Sequence, residues 1–229
     1  MVDTAAYKEK TRIERFTFSV RLKGLFFPLA FSDVVQLVDR TGFTLVAPLK
    51  ERPSLPPGGQ IVVVGRIAEK GDLKFNLDPD RGVINLEGKN IEEVLSEFNA
   101  IEDLARREFA VDFNKEQRFY EILTDLTVNT DQNPIETISK LFSDSKSLST
   151  FSDILKDGTG NYGVRLVRKG QDPNHEEWWE YRIEPLLTKS RNTYYSNVIY
   201  RSGDKDKVVK AAKELIERVS QLIIAMEQL

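Results

Sequence analysis

Cysteine is absent from this chain, histidine occurs once, and no apolar run is long. Without thiols there is no disulfide framework, no thiolate metal site and no thiol nucleophile. The longest apolar stretch, Leu222-Ile223-Ile224-Ala225-Met226, falls far short of the roughly 20 residues that a membrane-spanning helix needs. Residues Met1 to Thr11 are polar, with Asp3, Lys8, Glu9 and Lys10, and contain no hydrophobic stretch for export. The expectation is a cytoplasmic protein without membrane association. A surplus of one charge is also missing: 33 basic residues stand against 36 acidic ones, a net charge of −3. Attraction to nucleic acid would therefore have to come from how charge is distributed.

What is present is the material of a core. Of the 229 residues 40% are hydrophobic and 30% charged, which is globular rather than disordered composition. Phe16, Phe18, Val20 and Leu22 alternate with Arg15, Thr17, Ser19, Arg21 and Lys23, the period-2 pattern of a half-buried strand. A short helix follows, capped by Ser32 and stopped at Gly42, and then a strand from Phe43 to Leu49. Pro53, Pro56, Pro57, Gly58 and Gly59 mark a loop. Strands are expected at Ile61–Ala68, Leu73–Leu77 and Val83–Leu86, with turns at Lys70-Gly71 and Pro79-Asp80-Arg81-Gly82. Asn90 and Glu93 then open a long helix striped by Val94, Leu95, Phe98, Ile101 and Leu104.

The second half repeats this order. Tyr120, Ile122, Leu126 and Val128 line a strand, Pro134 begins a short helix through Phe142, and a Ser/Asp/Gly-rich loop runs from about Ser143 to Gly160. Strands follow near Val164–Lys169, Trp178–Glu184 and Tyr194–Arg201, and a helix from about Asp206 ends the chain. Leu73-Lys74-Phe75-Asn76-Leu77-Asp78-Pro79 aligns with Trp179-Glu180-Tyr181-Arg182-Ile183-Glu184-Pro185. In both, proline ends the ladder after an acid. The fold class expected is α+β: two tandem β-α-β(3-4)-α repeats, 12–112 and 113–229, forming a curved antiparallel sheet with long helices packed on one side. This order of elements resembles the TATA-binding-protein-like fold. The resemblance covers nearly the whole chain but only as an order of elements, and the paired intercalating phenylalanines of that family have no equivalent here.

Candidates for chemistry are few. His175 sits in Asn174-His175-Glu176-Glu177, where adjacent positions point in different directions and a surface turn explains the composition. Gly158-Thr159-Gly160-Asn161-Tyr162-Gly163 satisfies G-x-G-x-x-G, yet a strand follows it where a dinucleotide site needs a helix. Asp78, Asp80 and Glu184 are the carboxylates that a metal-dependent hydrolase would use. They also have the composition of turns. Trp178, Trp179, Tyr181, Tyr194, Tyr195 and Tyr200 form an aromatic cluster, half of which alternation directs toward the helices. Nothing calls for a cofactor.

One surface stands out. Alternation directs Arg15, Arg21, Lys23, Arg66, Lys74, Arg165, Lys169, Arg182 and Arg201 to the sheet face opposite the helices, against Glu121, Asp125 and Glu180. That is a surplus of six positive charges, with Tyr195, Asn76 and Asn197 beside them for stacking or hydrogen bonds. The carboxylates Glu92, Glu93, Glu97, Glu102, Asp103 and Glu108 fall on the first long helix. The preferred function is thus a non-catalytic binding or scaffold protein with a basic sheet face for nucleic acid or an acidic protein. The alternatives are the hydrolase and a homodimer assembled through Leu222, Ile223 and Met226 of the last helix.

Overall fold

A computed structural model describes residues 4–24, 28–46, 65–187 and 192–229. The proline- and glycine-rich stretch at 53–59, and the beginning of the strand expected from Ile61, lie outside the described residues. The chain opens with helix α1 (Thr4–Glu9), strand β1 (Thr11–Leu22), helix α2 (Phe31–Arg40) and the short strand β2 (Thr44–Leu45). Strands β3 (Gly65–Lys70), β4 (Leu73–Asp78) and β5 (Val83–Gly88) precede helix α3 (Ile91–Phe109). After the single turn α4 (Phe113–Glu116) come strand β6 (Gln117–Asn129) and helices α5 (Pro134–Leu141) and α6 (Lys146–Leu155). Strands β7 (Val164–Val167), β8 (Trp178–Pro185) and β9 (Thr193–Ser202) lead to helices α7 (Lys205–Lys213) and α8 (Leu215–Gln228).

The nine strands among the described residues form one sheet in the order β2-β3-β4-β5-β1-β6-β9-β8-β7, with every pairing antiparallel. Its centre is the long β1–β6 pair, from Thr11 opposite Val128 to Leu22 opposite Gln117. Going outward from that pair, β5, β4 and β3 lie on one side and β9, β8 and β7 on the other.

Alternation becomes burial as the sequence predicts. Phe16, Phe18 and Val20 of β1, and Leu73, Phe75 and Leu77 of β4, are buried while the residues between them are not. Helix α3 packs on β1 and β5, bringing Phe98 edge-on to Phe18 at 4.8 Å between ring centroids. Helix α7 packs on β6 and β9. Val208, Ala212, Leu215, Val219 and Ile223 are fully buried, and each of the larger ones contributes about 1.5–3 kcal/mol on burial. No helix among the described residues is long and apolar enough to cross a membrane.

Several local expectations differ from the structure. Ser32 lies inside the first turn of α2; its cap is Ala30, whose N–H donates to the Asp33 carboxylate at 2.9 Å. The Ser/Asp/Gly-rich stretch contains α6, and the polar N-terminal segment contains α1, whose Tyr7 hydroxyl donates to Glu227 of α8. The terminal helix is divided at Glu214 (φ −87°, ψ −2°), although its N–H still reaches the Lys210 carbonyl and its carbonyl accepts from the Arg218 N–H. Ile223 is fully buried and Met226 nearly so, so neither supplies the exposed apolar end on which a dimer through α8 would depend.

Candidate ligand pocket and the polar sheet face

Strand register decides which side chains share a face. Arg15, Arg21, Arg66, Lys74, Arg165, Arg182, Arg201 and Tyr195 all lie on the face opposite Phe16, Phe18 and Phe75. Lys23 and Lys169 follow the ends of β1 and β7 and stand off the sheet. The same registers bring Glu69, Asp78, Glu87 and Glu184 to this face beside Glu121, Asp125 and Glu180. Seven strand cations therefore meet seven carboxylates, and Arg12 and Glu14, also on this face, leave the balance unchanged.

The expected surplus of six is not there. Arg15 pairs with Asp125 at 2.7 Å, Lys74 with Glu87 at 2.6 Å and Arg201 with Glu121 at 2.5 Å. Arg66–Glu69, Arg165–Glu180 and Arg182–Glu184 each close at 2.8 Å. Arg21 instead stands over the Phe119 ring at 5.8 Å, with Arg201 over the same ring at 4.4 Å. Tyr195 is tied by its hydroxyl to Asp125 at 2.5 Å, and burial together with that bond pushes its pKa up to about 12.

The hydrolase carboxylates do not converge. Asp78 on β4 and Glu184 on β8 are five strand steps apart, about 24 Å across the sheet. Asp78 accepts the Arg81 N–H of its own turn, and Glu184 holds Arg182. His175 Nδ1 accepts the Glu177 N–H within an exposed turn. No cluster of metal-binding side chains occurs among the described residues. The G-x-G-x-x-G segment is irregular chain leading into β7.

A well-formed concavity lies on the other side of the sheet, between β7–β9 and the last two helices. A cavity of about 710 Å³ is lined by Leu166, Arg168, Glu177, Trp179, Tyr181, Tyr200, Lys207, Arg218, Gln221 and Leu222. Its volume falls within the range of small-molecule sites. Trp179 and Tyr200 are paired residues of β8 and β9, and Leu166 pairs with Tyr181, so the floor is one patch of three strands. The Trp179 and Tyr181 rings meet edge-on at 5.9 Å.

Charge at the rim is fixed by hydrogen bonds. Glu177 accepts from the Ser202 hydroxyl at 2.6 Å and the Gly203 N–H at 3.2 Å through one oxygen, and from Arg168 at 3.3 Å through the other. Burial alone would raise its pKa, but these donors outweigh burial and hold it below the usual carboxylate range. Arg218 is clamped by Glu214 at 2.6 Å and by the Tyr181 hydroxyl, which outweigh its burial and favour its charge. Lys207 is the loose cation, with Asp204 at 3.9 Å and 59% of its side chain exposed.

The first half shows why this cavity is open. Lys74 pairs with Glu87, which sets Leu73 opposite Gly88, as Trp179 is opposite Tyr200. A Cβ on Gly88 would lie 2.7 Å from Leu73 Cδ2 and 2.9 Å from Val94 Cγ2, so that position is closed. Phe43, returning from α2, packs edge-on against Phe75 at 6.1 Å. In the β8–β9 pair large rings stand where the β4–β5 pair has Leu73 and Gly88, and α6 contributes no buried residue. Sequence alternation directed half of the aromatic cluster inward without naming the half; the registers assign Trp179, Tyr181 and Tyr200 to it. Arg168, Lys207 and Arg218 were missed because only the fold brings the end of β7 beside α7 and α8. No family model matches the chain, and no curated protein is similar to it in sequence.

Proposed function

We propose that this chain is a non-catalytic binding protein whose ligand occupies the pocket framed by β7, β8, β9, α7 and α8. Its two halves are read as copies of one β-α-β-β-β-α unit in an arrangement similar to the TATA-binding-protein-like fold, with the helices against one side of the sheet. The strand order, the same outward from β1 and β6, supports that descent. One observation carries the function: a position sealed by Leu73, Gly88 and Phe43 in the first half is a cavity with an aromatic floor in the second. If the second copy diverged while the first kept the packing, binding is what the divergence supplies.

The polar sheet face is the rival surface for nucleic acid or an acidic protein. Of the cations expected there, Arg21, Lys23 and Lys169 show no ion pair among the described residues, and the last two stand off the sheet. Elsewhere a phosphate would have to displace a carboxylate already in place, which argues against that surface.

The test is titration with the dye 1-anilinonaphthalene-8-sulfonate. Saturable one-to-one binding with energy transfer from tryptophan is expected, and Gln221→Trp, which fills the cavity mouth, should abolish it. Non-saturating binding, or binding indifferent to the filled mouth, counts against the pocket.

A further inference from the structure

We infer that the pocket's ligand is an aromatic anion, its ring against Trp179 and Tyr200 and its anionic group at Lys207. This rests on the pocket being the binding site. The floor offers flat rings, with Leu166 and Leu222 as apolar neighbours, and such surfaces hold planar ligands by stacking and edge contacts. The rim decides the sign of charge. Three of the lining residues are cationic and one is a carboxylate.

That carboxylate is already used. Both Glu177 oxygens accept bonds from Ser202, Gly203 and Arg168, so Glu177 positions Arg168 and has little left for a ligand cation. Arg218 is likewise held by Glu214 and lends the rim its field without a free fork. Lys207 alone combines a place in the lining with an exposed ammonium and a distant counter-ion. An anion arriving there gains a charge-assisted hydrogen bond and competes only with the loose Asp204 contact at 3.9 Å and the more distant charge of Glu177.

The experiment uses the full chain carrying Trp178→Phe, which leaves Trp179 as the single tryptophan reporter. Three probes share one ring: 1-naphthyl phosphate, 1-naphthol and 1-naphthylmethylammonium. The phosphate is expected to quench Trp179 and to bind about tenfold or more tighter than naphthol, one charge-assisted contact being worth that much. Lys207→Met should remove most of that advantage and leave naphthol unchanged; its exposed side chain makes the variant safe for folding. Equal affinities for phosphate and naphthol, insensitive to Lys207→Met, would overturn the anion while leaving the pocket standing. Tighter binding of the ammonium would do the same. Failure of all three to perturb Trp179 in a folded chain would overturn the pocket itself.

Discussion

Asp125 shows what the polar face is made of. Its carboxylate accepts from Tyr195 at 2.5 Å, from Asn197 at 2.8 Å and from Arg15 Nε at 2.8 Å. Burial works to raise its pKa, and these donors together reverse that and lower it. A carboxylate lowered on folding stabilises the folded state above its unfolded pKa, about 3.9. The contribution is lost as pH falls through the folded value. Asp125→Asn should therefore lower stability at pH 7 by about 1–3 kcal/mol, as expected for losing a charged acceptor that holds several donors. Urea midpoints should show the gap from the parent narrowing toward pH 3, and an unchanged gap would remove charge from the explanation. The sequence made part of this legible. Counting in twos from Lys74 reaches Asp78, and from Arg182 reaches Glu184, so both belonged on the face from the start. Glu87 could not be placed, because its strand seemed to end at Leu86 and its partnership with Lys74 exists only across strands.

Among the elements, strands and long helices were readable because their apolar spacing is their cause. Of the short helices, α2 and α5 were readable from their caps and stops, whereas α1 and α6 were hidden by composition. Leu148, Phe151, Ile154 and Leu155 do have helical spacing, but serines and aspartates around them resemble a loop, and α6 buries none of them. The caps were readable where one side chain does the work, as at Asn90, which accepts the Glu93 N–H at 3.2 Å. The last residue of β5 makes a sharper case. Gly88 is required by the closeness of Leu73 and Val94 rather than by its own backbone angles. Gly88→Ala should cost about 1–3 kcal/mol, the usual cost of overfilling a packed core. Denaturant unfolding would measure it, and a neutral result would mean that α3 yields easily and that the first half is less tightly sealed than its packing implies.

For the molecule as a whole, one hydrophobic cluster runs from Phe16 and Phe75 through Tyr120 to Val198 and Ile223. No break in it separates the halves. Thermal or urea unfolding should therefore be a single transition, with far-ultraviolet circular dichroism and the fluorescence of Trp178 and Trp179 changing together. Separate midpoints would mean that the half holding both tryptophans unfolds on its own. The overall order of elements was visible in the sequence, because repeated alternation and repeated capping record it. The neighbours of each strand were not, since pairing at long range leaves no local trace. The β1–β6 seam carries a consequence of this arrangement. A chain cut between α3 and β6 would leave β1 with a bare row of amides and carbonyls along one side, twelve residues long. Such an edge seeks a partner, and the nearest strand of matching length and pattern is β1 of another severed molecule. An isolated first half would therefore collect into twofold pairs, rebuilding between molecules the joint that the intact chain makes within itself.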